Sequence, residues 1–235
     1  MTSSAAPDPV RRPPEPTTAV VPLRDGHTGK TRLAEHLPAA QRGRLVVSLA
    51  RHVVATLLGT DGIRRVLVVT ADPGFVAEAL DPDPRLEVLR QPAERPGLNA
   101  GVEFGREHVR RHWPTDRLLV VHADLAALSG ADTAALLDRS TPVTLAPDRY
   151  DLGTNAVLLG PGTEGFRFRF GEDSLARHRR EARASGAEAV LVRRDGTAID
   201  LDTEADWSAL PPDVRARLRS GIEEPEDARR QEALP

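Results

Sequence analysis

The sequence predicts a mainly parallel α/β sheet flanked by helices, and three observations predict it. Through the first 140 residues, short Val- and Leu-rich runs alternate with segments of helical period, as in strand–helix–strand units with right-handed crossovers. Several of these runs are apolar on both faces, like strands in the middle of a sheet. After Thr141 the runs crowd together, which predicts a mixed sheet edge in the second half.

The elements follow in order. Residues 1–17 are rich in proline and small polar residues, lack periodicity and predict a disordered leader. The first strand is Thr18–Leu23, and the residues after Lys30 read as the opening of a helix. From Ala39 to Leu58, Leu45, Leu49, Val53 and Leu57 fall four apart, one apolar helix stripe. Strands Arg65–Thr70 and Leu86–Leu89 precede a helix marked by Leu98, Val102, Gly105 and Val109. The remaining strands are Arg117–His122, Val143–Ala146, Asn155–Leu159, Ala189–Val192 and Thr197–Leu201. A helix runs from Ser174 to Ser185, with Ser174 standing where a side chain caps free N–H groups. Residues 221–235 carry five acids against two arginines and predict a solvated tail, leaving 18–220 as the folded domain.

Composition narrows the function. The 235 residues are 40% hydrophobic and 29% charged, enough for one domain with a core. A formal net charge of −3 gives no nucleic-acid footprint. The absence of cysteine excludes disulfides, thiolate nucleophiles and cysteine–zinc sites. No apolar run approaches the ~20 residues that span a bilayer, and the N-terminus lacks a signal-peptide core. The expectation is a soluble cytoplasmic protein with no membrane partner, a monomer or a homodimer.

In open α/β sheets ligands bind beyond the C-terminal strand ends. The first strand runs into Arg24-Asp25-Gly26-His27-Thr28-Gly29-Lys30, a turn whose glycines free the backbone to point N–H groups at a phosphate. Lys30 is the only lysine in a chain that otherwise uses arginine. Gly29-Lys30-Thr31 also ends like a P-loop, but Arg24 stands where that motif needs glycine, so the P-loop reading ranks second. Asp124 follows a strand of apolar residues. In an extended Thr197–Thr203, Asp200 and Asp202 share one face opposite Leu201, and two adjacent carboxylates call for a cation between them. Either Asp202 or Thr203 can instead cap the following helix. Gly171 and Ser174, at a helix start, suit an anion. Arg177, Arg179 and Arg180 read as a solvated basic face. Leu98 and Asn99 open a helix, and an asparagine amide suits a nucleobase edge.

Taken together, these blocks resemble a known family. The head, Val20-Val21-Pro22-Leu23 through Gly29-Lys30-Thr31-Arg32-Leu33-Ala34, resembles the phosphate-binding signature of nucleotidyltransferases. The later blocks, Asp148-Arg149, Gly153-Thr154-Asn155, Phe170-Gly171, Ser174, Arg177-His178 and Asp200-Leu201-Asp202-Thr203, resemble the CofC/FbiD guanylyltransferases of deazaflavin coenzyme F420 biosynthesis. The resemblance implies a single-domain glycosyltransferase-A-like, Rossmann-like fold of the nucleotide-diphospho-sugar-transferase type. It implies guanylyl transfer from GTP to phosphoenolpyruvate or 2-phospho-L-lactate with release of pyrophosphate. It places Thr154, Gly171 and Ser174 on the phospho-acid, and Gly29, Lys30, Leu98 and Asn99 on the nucleotide. Asp124, Asp200 and Asp202 hold Mg²⁺, with Lys30 and Asp124 at the catalytic centre. The chain departs from the family in reading Ala126, not proline, after Asp124-Leu125. Its alanine- and arginine-rich composition favours phosphoenolpyruvate, the acceptor of many bacterial members. A nucleotide-binding regulator without turnover is the non-enzymatic alternative.

Overall fold

A computed structural model describes residues 15–24, 30–34 and 37–223. Seven strands form one sheet: β1 (Thr17–Pro22), β2 (Ile63–Thr70), β3 (Leu86–Arg90), β4 (Arg117–Val121), β5 (Val143–Pro147), β6 (Thr154–Leu159) and β7 (Ala189–Leu191). Their order is β3-β2-β1-β4-β6-β5-β7. β1 pairs parallel with β2 and β4, and β2 parallel with β3. β6 runs antiparallel to both β4 and β5, while β7 lies parallel to β5. This is the mixed second half that the crowded runs predict.

Alternation along the strands fills two cores. Ala19 and Val21 of β1 face α1 (Ala39–Leu58), α2 (Pro73–Ala79) and α4 (Gly130–Leu137). Val20 faces the opposite way, onto α3 (Leu98–His112) and α5 (Ser174–Ala184). Helix α1 spans the residues its stripe predicts, from Pro38 to a C-cap at Gly59. A third cluster lies on the far side of α1, where Leu45 and Leu49 meet Leu33, Ala126, Leu201 and Leu210. Val214, Leu218 and Ile222 of α8 (Pro212–Glu223) complete it. Among the described residues no helix is long and apolar enough to cross a membrane.

Beyond shifts of one or two residues at strand and helix ends, several assignments differ from the sequence expectation. Thr17, assigned to the leader, opens β1 because it is buried between Ile63 and Arg117. Residues 221–223, assigned to the tail, continue α8 because Ile222 adds to its apolar stripe. The residues after Lys30 form one 3₁₀ turn, Thr31–Leu33, with α1 starting only at Ala39. Thr197–Leu201 is not a strand: the N–H and hydroxyl of Thr197 both donate to Arg194 O, closing the short helix α6 (Asp195–Ala198). Such local bonds compete with a sheet ladder. Residues 1–14 and 224–235, the rest of the predicted leader and tail, lie outside the described residues, as does the loop 25–29 with Gly29.

Gly105 marks where α3 presses on the sheet. A Cβ there would sit 2.8 Å from Val20 Cγ1 and 3.1 Å from Val69 Cγ2. Gly105→Ala is expected to lower stability by about 1–3 kcal/mol through overpacking, against a helix-propensity gain of about 1 kcal/mol. The measurement is the urea midpoint at unchanged m-value, and a raised midpoint contradicts this packing.

Candidate active site

β1 and β4 are neighbours from which the chain departs in opposite directions, to β2 and β3 on one side and β6 and β5 on the other. This is a topological switch point, where the strand ends leave a crevice. Lys30 follows β1, and Asp124 follows β4 by three residues. The third segment arrives from α6: the chain is extended at Ile199, then Asp202 N–H donates to Asp200 O at 3.1 Å, a γ-turn centred on Leu201. Leu201 is fully buried in the third cluster, and its N–H donates to Asp124 O at 3.2 Å. The apex of the turn is thereby pinned to the main chain of Asp124, and Asp200 and Asp202 flank it.

The ammonium of Lys30 bridges two of the acids. It donates to Asp124 Oδ2 in a short ion pair and to Asp202 Oδ1 at 2.8 Å. Lys30 adopts φ +56°, a left-handed conformation that a non-glycine residue holds only when its surroundings impose it. Burial works against its charge, but Asp124 and Asp202 more than compensate, so its pKa lies above the ordinary lysine value. Burial also pushes the Asp124 carboxyl up, and Lys30 together with His122 reverses this and holds it below the usual range. Asp200 lacks the lysine: burial and then the charge of Asp124 raise it, and His122 offsets this only in part. The Asn155 amide donates to Thr197 O at 2.9 Å and reaches Asp200 Oδ1 at 3.4 Å.

The residue types predicted to hold Mg²⁺ therefore meet in space, but with a lysine among them. Among the described residues no group of three Asp, Glu or His side chains is arranged to hold a metal ion as it stands. The ammonium of Lys30 lies between Asp124 and Asp202 instead, where it screens their repulsion. Asp124 Oδ1 is buried and has no hydrogen-bond partner.

The turn after Asp202 is fixed by Thr203, one of the two cap candidates, and by Asp206, which the sequence reading leaves out. Thr203 caps α7 (Glu204–Ala209) in a capping box with Asp206, so neither Asp200 nor Asp202 is spent as a cap. Asp206 Oδ2 accepts the N–H groups of Asp202 and Thr203, while its Oδ1 takes Arg149 Nη2 at 2.7 Å. The pattern Thr203-x-x-Asp206 is the signal that exposes this role.

On the other flank, β6 and α5 bring Thr154 and Ser174 together. Ser174 does not cap its helix: Asp173, at φ +50°, is the N-cap residue, and Ser174 Oγ accepts Thr154 N–H at 2.8 Å. Both residues are buried, so the serine answers a strand N–H rather than its own helix. Gly171 is exposed at φ +116°, a conformation that favours glycine, and its carbonyl accepts Ser174 N–H. Arg177, Arg179 and Arg180 are exposed as expected, but His178 among them is fully buried. Leu98 packs on the core of α3. Asn99, which the resemblance puts near the nucleotide, clamps the Phe170 main chain, accepting its N–H at 2.8 Å and donating to its carbonyl at 3.0 Å.

Two outcomes follow. Leu201→Ala is expected to cost about 2–5 kcal/mol, read as a lowered urea midpoint, because it hollows the cluster that seats the turn. The His178 imidazole is held down to about 3 by burial and then by His122 and Arg169, and burial and Arg217 lower His52. Below the ordinary 6.5, the unfolded chain takes up protons that these native rings refuse. Their contribution is complete above that pH and declines as pH falls through it, by up to about 1.4 kcal/mol per pH unit for each group. Chemical denaturation at pH 7, 6 and 5 should show the decline, smaller in His178→Asn, and an equal slope in both proteins contradicts it.

A family described as CofC-like guanylyl transferases matches residues 17–210. A phosphoenolpyruvate guanylyltransferase of Sphaerobacter thermophilus is 37% identical over 198 residues, covering 83% of this chain and 92% of its own. A 3-phospho-D-glycerate guanylyltransferase of Phenylobacterium zucineum is 35% identical over 193 residues, covering 80% and 86%. A crystal structure of a nucleotide-diphospho-sugar transferase homologue from Desulfovibrio desulfuricans superposes at a TM-score of 0.66, with 14% identity over 88% of this chain and 96% of that one. That likeness concerns the fold alone. With the match running from the first residue of β1 to the end of α7, the chain belongs to the CofC-like guanylyl transferase family.

Proposed function

We propose that this protein transfers the guanylyl group of GTP to the phosphate of a phosphorylated three-carbon acid and releases pyrophosphate. The observation that carries the reading is the meeting of Asp124 and Asp202 on Lys30 at the switch point, with Asp200 close enough for the charge of Asp124 to act on it, in a chain whose relatives are named guanylyltransferases. Phosphoenolpyruvate is the leading acceptor, as in the name of the Sphaerobacter relative. The competitors are 3-phospho-D-glycerate, as in that of the Phenylobacterium relative, and 2-phospho-L-lactate. The guanylylated acid then serves deazaflavin coenzyme F420 biosynthesis.

The reaction joins two strongly anionic molecules, so the site must supply positive charge. Three carboxylates against one ammonium leave two negative charges to be balanced, and Asp124 Oδ1 is buried with no donor. Hard carboxylate oxygens in this number suit Mg²⁺, which Asp124, Asp200 and Asp202 would hold. When bound, Mg²⁺ supplies neutralisation of the triphosphate and stabilises charge developing at phosphorus. Lys30, kept charged by its acidic neighbours, gives its ammonium to the GTP phosphates. Gly29 with its loop, Leu98 and Asn99 flank the nucleotide. Thr154, Gly171 and Ser174 hold the acid's phosphate and carboxylate. The acceptor phosphate is already an oxygen nucleophile near neutral pH, so it attacks the α-phosphorus in line without a protein nucleophile or general base. The P-loop alternative is not favoured: Arg24 replaces its first glycine, and only a 3₁₀ turn follows Lys30.

Purified protein with GTP, Mg²⁺ and each acid is expected to release pyrophosphate, fastest with phosphoenolpyruvate. Asp200→Asn and Asp202→Asn are each expected to slow release by at least about a hundredfold, with melting temperature little changed. Orthophosphate release without an acceptor points to a nucleotidase. GTP binding without turnover on any acid points to a regulator. Either result overturns the reading.

A further inference from the structure

His178 lies on the buried stripe of α5, its ring against Thr154 of β6, and no step above uses it. Its ring packs against Phe170 edge-on at 4.8 Å and on Phe166 at 5.6 Å. Two polar contacts determine where its proton sits. Arg169 main-chain N–H, which can only donate, meets Nε2 at 2.9 Å. Nε2 must therefore be the lone-pair nitrogen, and the neutral ring carries its hydrogen on Nδ1. Nδ1 stands 3.1 Å from Thr154 Oγ1, so the imidazole donates and the threonine oxygen accepts.

That assignment has a consequence for the hydroxyl. Thr154 Oγ1, already receiving a hydrogen from His178, cannot give its own back along the same line. Among the described residues no acceptor takes the Thr154 hydroxyl hydrogen. Ser174 is in the same position: its oxygen accepts Thr154 N–H, and its own hydrogen finds no acceptor. Two buried hydroxyl donors without acceptors are costly unless an oxyanion completes them.

We infer that His178 is a positioning residue, whose Nδ1–H, oriented by the Arg169 main chain, holds the Thr154 hydroxyl as a hydrogen-bond donor toward the phosphate or carboxylate of the acceptor acid. The inference rests on the guanylyl-transfer reading for the identity of that acid, and on local geometry alone for the proton. With the opposite tautomer, the threonine would spend its hydrogen on the imidazole and present only lone pairs to an anion, which repel it. The role is directional and not acid–base: among the described residues no carboxylate contacts the ring, and the proton stays where it is throughout.

Two measurements test it. Long-range ¹H–¹⁵N correlation of histidine-labelled full-length protein, with His178 assigned through His178→Asn, is expected to show a neutral ring protonated on Nδ1 from pH 5 to 8. An Nε2-protonated ring or an imidazolium overturns the inference whatever the enzyme's substrate. In steady-state kinetics, His178→Leu is expected to raise the KM for phosphoenolpyruvate about 10- to 100-fold and leave that for GTP unchanged. His178→Asn restores an N–H at the Nδ1 position and is expected to return the KM to within about threefold of wild type. Thr154→Val is expected to match His178→Leu, and the double variant to be no worse than either. Equal damage in His178→Leu and His178→Asn, or parallel loss for GTP, means a packing role and overturns the inference. Should the wild-type protein release no pyrophosphate with any acid, the guanylyl-transfer reading fails, and the spectrum still decides the direction of the Thr154 hydroxyl.

Discussion

The acidic site depends on one buried leucine. Asp124, Asp200 and Asp202 repel one another, and nothing in their own chemistry brings them together. Leu201 does so from behind: it sits between two of the acids and is fully buried with Leu33, three residues after Lys30, and Ala126, two after Asp124. Each charged group is thus tethered to an apolar neighbour in the same cluster. Burying a leucine is worth about 1.5–3 kcal/mol, and the Leu201 N–H bond to Asp124 O fixes the register. The carboxylates converge because their backbones have no other place to go.

The electrostatics follow from that constraint. Lys30 contributes a single positive charge, and its left-handed backbone aims it at Asp124 and Asp202. Asp200 is left with Asn155 and a raised pKa. Among the described residues the acids here outnumber the ammonium, which fits the proposed binding of a cation together with an anionic substrate. A fully compensated cluster of equal numbers of lysines and acids would be more stable and would have no affinity left for a phosphate-bound cation.

Much of this was legible in the sequence, for identifiable reasons. The α1 stripe and the apolar strands are periodic over many residues, and tertiary contacts only reinforce them. Lys30 and Asp124 were legible because strand ends in an open sheet are where ligands sit, and Asp200 and Asp202 because two carboxylates alternate with a leucine. Thr197-Ala198-Ile199-Asp200-Leu201-Asp202 was misleading: its alternation is genuine, with Leu201 inward and the acids outward, yet a γ-turn and not a strand produces it. His178 was hidden by its arginine neighbours. Ser174, Leu175, His178 and Ala182 form the buried stripe of α5, and helical spacing alone separates this histidine from the exposed arginines around it.

Asn99 shows why the two substrate flanks behave as one unit. It opens α3, on the side assigned to the nucleotide, yet both ends of its amide are bonded to the main chain of Phe170, just before Gly171 on the acid side. Phe170 in turn touches His122, two residues before Asp124, with ring centres 5.0 Å apart, and it packs edge-on against His178. An in-line attack tolerates little error in the distance between acceptor oxygen and α-phosphorus. On the proposed reading, a helix start, an aromatic ring and a strand end locked together by one asparagine would set that distance in advance. The two flanks then need not be aligned by the substrates themselves, whose mutual repulsion opposes alignment. On the proposed reading, Asn99 flanks the nucleotide while its amide ties that flank to the main chain beside Gly171.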